Sequence, residues 1–375
     1  MSWQVTSCYK RAIRLSTGRR GQVTSCSKAA VAFLIALPAL AALAGAGCGG
    51  GDDPTAVVLV THDSFAVSDG VTQAFEQETG LELKILRSGD AGETLTKALL
   101  TAGNPQGDVL FGVDNTLLSR ALDGDVFDGY ESPALANVDA RLVLDPEHRV
   151  TPIDHGEVCL NVDKAWFATR GIEAPRSIDD LDEPGYEGLL VVQNPATSSP
   201  GLAFLLATVA RYGEGGWQRF WQRLRENDVL VVDGWEEAYT VRFSGAAGSK
   251  GTRPIVVSYA SSPPAEVIFR TPKPTTAPTA VIEDSCFRQI EFAGVLRGAG
   301  NEEGARKLVD FMLSTRFQED VPLSMFVFPV NRAAKLPPEF VKFAIVPESP
   351  LDLPPEEIDA NRDDWIKAWT DIVIR

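Results

Sequence analysis

The chain has 375 residues, of which 44% are hydrophobic and 23% are charged, and its formal net charge is −16. This composition is ordinary for a folded protein and excludes extensive disorder. The acidic balance argues against nucleic-acid binding, which requires Lys and Arg to neutralise phosphates. A chain this long also exceeds what one hydrophobic core usually holds, so we expect two lobes.

Residues 1–47 differ from the rest of the chain in charge and hydropathy. They contain six basic residues and no Asp or Glu, whereas residues 48–375 contain 29 basic and 51 acidic residues. An apolar run at 29–43 is followed by small residues in AGAGCGG at 44–50. It is too short for a membrane span. This pattern is that of a secretory signal peptide, and the small residues before Cys48 resemble a bacterial lipobox. We predict a signal peptide of lipoprotein type over 1–47, lipidation of Cys48, and a linker at 48–55.

Strands and helices alternate through the first part of the body. We predict strands at Ala56–Thr61, 81–86 and 108–112, and helices at Asp69–Thr79 and 93–102. The alternation indicates a doubly wound α/β lobe with its ligand crevice beyond the carboxyl ends of the strands. Segments 62–65 (HDSF) and 114–115 (DN) follow two such ends, so they are candidates for ligand binding.

A second alternating unit follows a long extended segment at 150–162. Its predicted strands are 188–192, 229–232 and Ile255–Tyr259, and its predicted helices are 202–212, Gly216–Glu226 and 235–242. Residues 272–278 (PKPTTAP) predict a surface loop, and 286–296 is extended again. The apolar period at 302–313 is typical of an amphipathic helix. The two extended segments are where the chain leaves the first lobe and returns to it.

Two of the five cysteines lie in the body of the chain. Cys8 and Cys26 belong to the leader and Cys48 to the predicted lipidation site, which leaves Cys159 and Cys286. An even pair in an exported protein can form a disulfide, and two separately buried thiols are the alternative. Both residues lie on the extended segments between the lobes, which favours the bridge.

Six short blocks, in order along the chain, carry a resemblance to a known family. They are THDSF at 61–65, DVLFGVDN at 108–115, ATSSPGL at 196–202, GWEEAY at 234–239, SYASSP at 258–263 and FVFPV at 326–330. Together they resemble the substrate-binding lipoproteins of bacterial ABC importers, and more narrowly the thiamine-binding members. The resemblance implies an α/β, two-lobed type II periplasmic-binding-protein fold. In that fold each lobe is a doubly wound sheet and the ligand lies in the inter-lobe cleft.

The resemblance also implies a domain layout and a role. Lobe 1 spans 56–152 and is completed by about 287–375, part of which can pack on lobe 2; lobe 2 spans 153–286. Hinge segments lie at about 152–160 and 286–292. The implied role is extracytoplasmic capture of thiamine, with thiamine phosphates left open, and delivery to the permease subunits of an ABC importer. We expect a monomer attached to the membrane by its lipid anchor only, with no enzyme activity, cofactor, metal or nucleic-acid partner.

The chemistry of thiamine points to aromatic side chains. Its thiazolium ring is a permanent cation, which aromatic faces attract at little desolvation cost. Trp235, Tyr239, Tyr259 and Phe326 match aromatic positions of the family, although core packing is the commoner role of such residues. Trp235 begins a helix after a strand, which favours binding by Trp235 and Tyr259. His62 stands where family members often have Tyr.

Acidic side chains complete the charge balance of the predicted site. Asp63, Asp114, Glu237 and Glu266 can accept hydrogen bonds from the amino group of thiamine or offset its charge. Most of the 51 acidic residues must be solvated surface, but Asp63 and Asp114 lie at the predicted crevice.

Hydroxyl groups at a helix start form the last part of the predicted site. Ser198 and Ser199 precede or begin a helix whose first turn contains Pro200. Free N–H groups there can bind a phosphate or a hydroxyl arm, while a plain helix cap is the alternative. The predicted ligand-binding residues are His62, Asp63, Ser64, Asp114, Asn115, Ser198, Ser199, Trp235, Glu237, Tyr239, Tyr259, Glu266 and Phe326.

Three other functions compete with thiamine binding. A polyamine-binding or ferric-iron-binding protein of the same superfamily shares the fold, and polyamine recognition also uses acids and aromatics. A secreted serine hydrolase could use Ser198 and His155, but no Gly-x-Ser-x-Gly elbow is present. The three histidines, His62, His148 and His155, lack the spacing of metal ligands.

Overall fold

The computed structural model describes residues 55–375. The predicted signal peptide, Cys48 and the linker before Thr55 lie outside the described residues. Within the described part, none of the helices has the length and apolar character needed to cross a membrane.

Ten strands of the described chain form one mixed sheet. In chain order they are β1 (Ala56–Thr61), β2 (Glu82–Arg87), β3 (Val109–Asp114), β4 (Phe127–Asp128), β5 (Thr151–Asp163), β6 (Leu190–Gln193), β7 (Leu230–Val232), β8 (Ile255–Tyr259), β9 (Thr279–Leu296) and β10 (Phe328–Pro329). Across the sheet the order is β2-β1-β3-β9-β5-β8-β6-β7, with β4 on β9 and β10 on β5. The strands predicted at Ala56–Thr61 and Ile255–Tyr259 are confirmed with the same bounds.

The sheet has two parallel halves separated by an antiparallel pair. β1 lies parallel to β2 and β3, and β6 lies parallel to β7 and β8. β5 and β9 run antiparallel to each other between these halves, and each also pairs with the half beside it. Because both halves are parallel, each presents the carboxyl ends of its strands at one edge, where ligand sites of such sheets occur.

Helices cover the sheet over the described chain. They are α1 (Asp69–Thr79), α2 (Ala91–Leu100), α3 (Leu118–Asp123), α4 (Lys164–Arg170), α5 (Ser199–Tyr212), α6 (Gly216–Glu226), α7 (Pro263–Ile268), α8 (Glu302–Met312), α9 (Thr315–Gln318), α10 (Val321–Ser324), α11 (Pro338–Phe343) and α12 (Pro355–Val373), with a π-helical turn at Glu237–Arg242. Short 3₁₀ turns lie at Pro133–Asn137, Ala140–Leu142, Ile178–Asp182 and Pro184–Tyr186. Residues 272–278 form an irregular, mostly exposed loop, as predicted.

Two helix starts differ from the predictions because of their capping residues. α2 begins at Ala91 rather than at residue 93, since the Asp90 carboxylate accepts a hydrogen bond from the Ala91 N–H. α5 begins at Ser199 rather than at residue 202, with Ser198 extended before it and Pro200 in the first turn. Pro is suited to that position because its missing N–H has no intrahelical partner there.

The hydrophobic core lies on both sides of the central pair. One cluster packs α1 and α8 on the first parallel half through Phe75, which stacks edge-on against Phe311. The larger cluster contains α5, α6 and α12, where Trp221 meets Trp369 at a ring-centroid distance of 5.4 Å. The C-terminal helix α12 therefore packs beside the second parallel half.

A disulfide joins the two central strands. Cys159 on β5 is bonded to Cys286 on β9, and both are fully buried. The register between these strands shifts between Val158 and Leu160, so the bond lies at an irregularity of the pairing. The bond therefore holds together the two segments predicted to join the lobes, whose boundaries stay a prediction.

Replacing both cysteines by Ala should lower the free energy of unfolding by about 2–4 kcal/mol, because the bond constrains the unfolded chain. Urea unfolding of the oxidised protein and the double variant measures the difference. Equal stability of the two proteins, or two thiols that can be alkylated in the unreduced, unfolded protein, would contradict the bridge.

Candidate ligand-binding site

Three aromatic side chains lie together at the ends of the second parallel half. The Trp235 ring stacks on Tyr239 with a centroid distance of 5.0 Å and an interplanar angle of 13°, and Tyr259 lies 6.3 Å from Trp235. Trp235 follows the turn after β7, and Tyr259 ends β8. The Trp235 Nε1–H donates to Ser258 Oγ at 2.9 Å, which fixes the indole plane. We call Trp235, Tyr239 and Tyr259 the aromatic group.

Four carboxyl groups face Tyr259 from the other elements of the site. They are Asp90 before α2, Asp114 at the end of β3, Asp154 on β5 and Glu291 on β9. Burial, and then the proximity of these four carboxyl groups, raise the pKa of Tyr259 well above its ordinary value. We call the four carboxyl groups the acid group. Acidic side chains beside aromatic faces are suited to a cation rather than an anion.

His62 is the basic residue beside the acid group. Its Nε2 lies 3.4 Å from Glu291 Oε1, without the alignment of a hydrogen bond, and its ring lies 5.5 Å from that of Phe111. Burial lowers the pKa of His62, but the carboxylates of Glu291 and Asp90 outweigh this, so the pKa is raised. Gly112 has φ of 101°, and a Cβ there would overlap the His62 ring. Glycine at this position therefore makes room for the imidazole.

Gln289 connects the first and second halves of the sheet. Its Nε2 donates to Asp114 Oδ2 at 2.5 Å and to Ser199 Oγ at 2.8 Å, while its Oε1 is buried without a donor in the described chain. Asp114 also accepts from the Thr116 hydroxyl at 2.6 Å. Burial raises the pKa of Asp114 to about 6 despite these donors. The predicted residues Asp114 and Ser199 are thus brought together through a side chain that the sequence did not suggest.

Two further contacts join the halves at the same place. The Trp235 N–H donates to Asp90 Oδ2 at 3.0 Å, and the Gly92 N–H donates to the Thr197 carbonyl at 3.0 Å. Burial raises the pKa of Asp90 despite the Trp235 contact. The Ser198 hydroxyl is buried without a well-formed hydrogen bond among residues 55–375, although it lies close enough to Asp90 to lower that pKa. Asp90 therefore contacts both sides of the site.

Some predicted residues serve mainly to hold nearby backbone. Asn115 continues the β3–β9 pairing, because its side chain accepts from the Ile290 N–H and donates to the Arg288 carbonyl. The exposed Asp63 accepts from the Gly89 N–H at 3.0 Å. Ser64 is half-buried beside it. These residues shape the loops that carry His62 and Asp90.

Three other predicted residues lie outside the aromatic and acid groups or at their edge. The Glu237 side chain is 42% exposed and pairs with Arg242, at the other end of the π-helical turn. Phe326 stacks with Phe340 at 6.1 Å and belongs to a separate aromatic set. Glu266 is buried behind the aromatic group, where it accepts from the Tyr239 hydroxyl at 2.8 Å. Burial raises the pKa of Glu266.

Sequence reasoning missed Asp90, Asp154, Gln289 and Glu291. The signal for Asp90 was its place three residues before Glu93, a pattern typical of a helix start. The other three are polar residues inside the apolar extended segments around 150–162 and 286–296. Buried charges are rare unless they are paired, so acids in such segments were the available sign of a site.

Within the described residues, neither a metal-binding cluster nor the cavity described below contributes residues to this site. Within residues 55–375, no group of three His, Cys, Asp or Glu side chains has an arrangement that could hold a metal ion. A surface depression of about 520 Å³ lies between α6 and α12, is lined by Arg225 and Asp371 among others, and contains none of the site residues.

Comparisons with known proteins identify the family of the chain and several of its relatives. Residues 104–344 match the family described as bacterial extracellular solute-binding protein. The chain is 30% identical over 327 residues to the thiamine-binding periplasmic proteins of Salmonella typhimurium and Escherichia coli, covering 85% of this chain and 94% of each relative. It is 27% identical to the thiamine-binding periplasmic protein of Brucella melitensis, covering 84% of this chain and 90% of that relative.

Solved structures give the same fold. A periplasmic thiamin binding protein matches with a TM-score of 0.74 and 29% identity, covering 85% of this chain and 96% of that chain. Iron-bound HitA from Pseudomonas aeruginosa matches with a TM-score of 0.66 and 17% identity, covering 85% and 99%, which shows the fold alone. The fold and site thus define a solute-binding protein of the type II periplasmic-binding-protein class. The chain belongs to the bacterial extracellular solute-binding protein family, so the predicted fold class and family are confirmed.

Gln289→Leu should lower the free energy of unfolding by about 1–3 kcal/mol, because Asp114 and Ser199 both lose a buried donor. Ser199→Ala is the matched milder variant, since it removes one of the two acceptors and leaves the bond to Asp114. Urea unfolding at neutral pH provides the comparison. A Gln289→Leu protein as stable as wild type would show that the bridge contributes nothing.

Proposed function

We propose that this solute-binding protein captures thiamine outside the cytoplasm and delivers it to an ABC importer. The observation that carries the proposal is the stacked Trp235–Tyr239 pair beside Tyr259, with four buried carboxyl groups facing that tyrosine. The relatives named thiamine-binding periplasmic proteins, at up to 30% identity over most of both chains, support the same ligand. The proposal includes thiamine phosphates as ligands as well as thiamine.

The chemistry of the site matches the parts of thiamine. Aromatic faces attract a permanent cation without requiring it to lose a proton or a strong hydration shell. The acid group supplies negative charge and acceptors for the amino group of the pyrimidine. The start of α5, with Ser198 and Ser199, offers N–H and hydroxyl groups to the hydroxyethyl arm or its phosphate. These assignments require no cofactor and no chemical step, so we propose that the ligand leaves unchanged.

Closure of the two halves supplies the transport signal in this proposal. A ligand that contacts both halves binds the closed state better than the open one, and only this difference can shift the population. Asp90 and His62 lie on the first half, and Trp235 and Tyr259 lie on the second. Closure is a hinge motion around the central strands β5 and β9, and the permease subunits of the importer recognise the closed shape.

Trp235→Ala should weaken thiamine binding by more than about 1 kcal/mol, because a desolvated cation–π contact contributes at least that much. Isothermal titration calorimetry measures the affinity, and small-angle scattering measures the compaction that accompanies closure. Trp166→Ala is the matched control, since Trp166 is half-buried on α4 and contacts Arg170 outside the site. Unchanged thiamine affinity in Trp235→Ala would contradict the assignment of the aromatic group.

The same calorimetry separates the competing ligands. Wild-type protein is titrated with thiamine, thiamine monophosphate, thiamine diphosphate, spermidine and Fe³⁺. Tightest binding of thiamine or one of its phosphates supports the proposal. Tighter binding of spermidine or Fe³⁺, with no response to thiamine, would replace it with one of the sister functions.

We also propose that the mature protein is a monomeric lipoprotein, attached to the membrane through Cys48 alone. Cys48→Ser should move the exported protein from the detergent phase to the aqueous phase in Triton X-114 partitioning, because it removes the acylated thiol. Cys159→Ser is a control that changes a cysteine of the body. Retention of the Cys48→Ser protein in the detergent phase would contradict the lipid anchor.

A further inference from the structure

Asp154 is a fully buried acid that receives no hydrogen bond. It lies in the middle of β5 with 0% exposure, and no donor among residues 55–375 reaches either carboxyl oxygen. Its cross-strand neighbour on β9 is Glu291, which is 7% exposed. Core packing does not explain an acid in this position.

An ionised Asp154 is physically untenable in this setting. A buried carboxylate without a donor or a countercharge loses its hydration with no compensation. Two adjacent carboxyl groups also cannot both ionise without strong repulsion, so a pair of this kind shares one proton. Glu291 is the member with a cationic partner, because His62 Nε2 lies 3.4 Å from it.

We infer that Asp154 is a neutral acid whose O–H donates a hydrogen bond to Glu291, and that a cationic ligand bound at the aromatic group causes this proton to be released into solvent. Asp154 would pass from carboxylic acid to carboxylate, its O–H bond would break, and water or buffer would accept the proton. The release of the proton on ligand binding rests on the proposed function, whereas the neutral state of Asp154 does not.

The charges around the pair determine the direction of the effect. The titratable groups around the pair are Asp114 on β3 and Tyr259 on β8, which interact with Glu291, and His62 after β1, whose own neighbours are Asp63 and Asp90. Burial and Glu291 raise the pKa of Asp154 well above its ordinary value. Burial also raises the pKa of Glu291, but His62 outweighs it and lowers that pKa. The proton therefore belongs to Asp154.

Proton release makes the affinity depend on pH. The added positive charge favours the ionised form of Asp154, so the bound protein holds fewer protons than the free protein. By linkage, affinity for a permanent cation then rises with pH, by up to about tenfold per pH unit for each proton released. An uncharged ligand of the same shape would leave the proton in place.

The protonated acid can be detected without any ligand. Infrared spectra of the free protein at pH 8, where Asp114 with its pKa of about 6 is ionised, should contain the carbonyl stretch of a carboxylic acid. The band should shift on deuteration and on labelling with [4-¹³C]aspartate, and it should vanish in Asp154→Asn. Absence of the band from wild type would overturn the inference whether or not thiamine binds. A band that persists in Asp154→Asn would do the same.

Calorimetry then tests the coupling to ligand. Thiamine is titrated into the protein at pH 7 in phosphate and in Tris, whose ionisation enthalpies differ, so that the number of released protons can be calculated. We expect up to one proton for wild type and for the exposed control Asp364→Asn on α12. We expect close to none for Asp154→Asn, whose amide can still donate to Glu291 and so should preserve the fold.

The outcomes separate the inference from the proposed function. Thiamine binding without proton release, or the same release from wild type and Asp154→Asn, would overturn the coupling and leave the function standing. If wild type and Asp154→Asn release the same number of protons, His62 would be the source of the proton. Absence of thiamine binding together with the Asp154 band would overturn the function and the coupling, while the neutral acid would stand on the infrared result.

Discussion

The antiparallel pairing of β5 with β9 is the constraint on which the rest of the structure depends. These strands separate two parallel half-sheets, pair with both, and are joined by the Cys159–Cys286 bond where their register shifts. Asp154, Gln289 and Glu291 all lie on them. The segments that connect the halves therefore also line the site, so a ligand at the site acts directly on the strands about which closure is proposed.

Buried polar side chains on or beside these strands need hydrogen-bond partners nearby, and two of these side chains connect one half with the other. Gln289 does so by donating to Asp114 on one side and Ser199 on the other. Asp90 does so by accepting from the Trp235 N–H. A buried polar group without a partner costs about 1–3 kcal/mol, so these pairings favour one relative position of the halves. The candidate site is in this way part of the strands that join the two halves.

The strands and helices could be predicted because their periods are local properties, whereas the two-lobed fold class also followed from the family resemblance. The runs at Ala56–Thr61 and Ile255–Tyr259 and the helix ended by Gly80 follow from apolar spacing and a left-handed cap. The aromatic group was also accessible, since Trp235 follows a strand end. The acid group was not, because it forms from register: Asp154 meets Glu291 only through antiparallel pairing across more than a hundred residues. The pairing of Glu237 with Arg242 likewise spans a π-helical turn that no residue pattern indicated.

The charge of the acid group explains why closure should require a ligand. In this structure, Asp90, Asp114, Asp154 and Glu291 converge on Tyr259, with His62 as the adjacent basic residue. Like charges brought together out of water repel strongly, so an empty site opposes the contacts that Asp90 and Gln289 make between the halves. A proton on Asp154 removes part of this repulsion, and a bound cation removes more of it. A positive charge between the halves would strengthen the contacts that hold them together, which connects cation capture with closure in the proposed function.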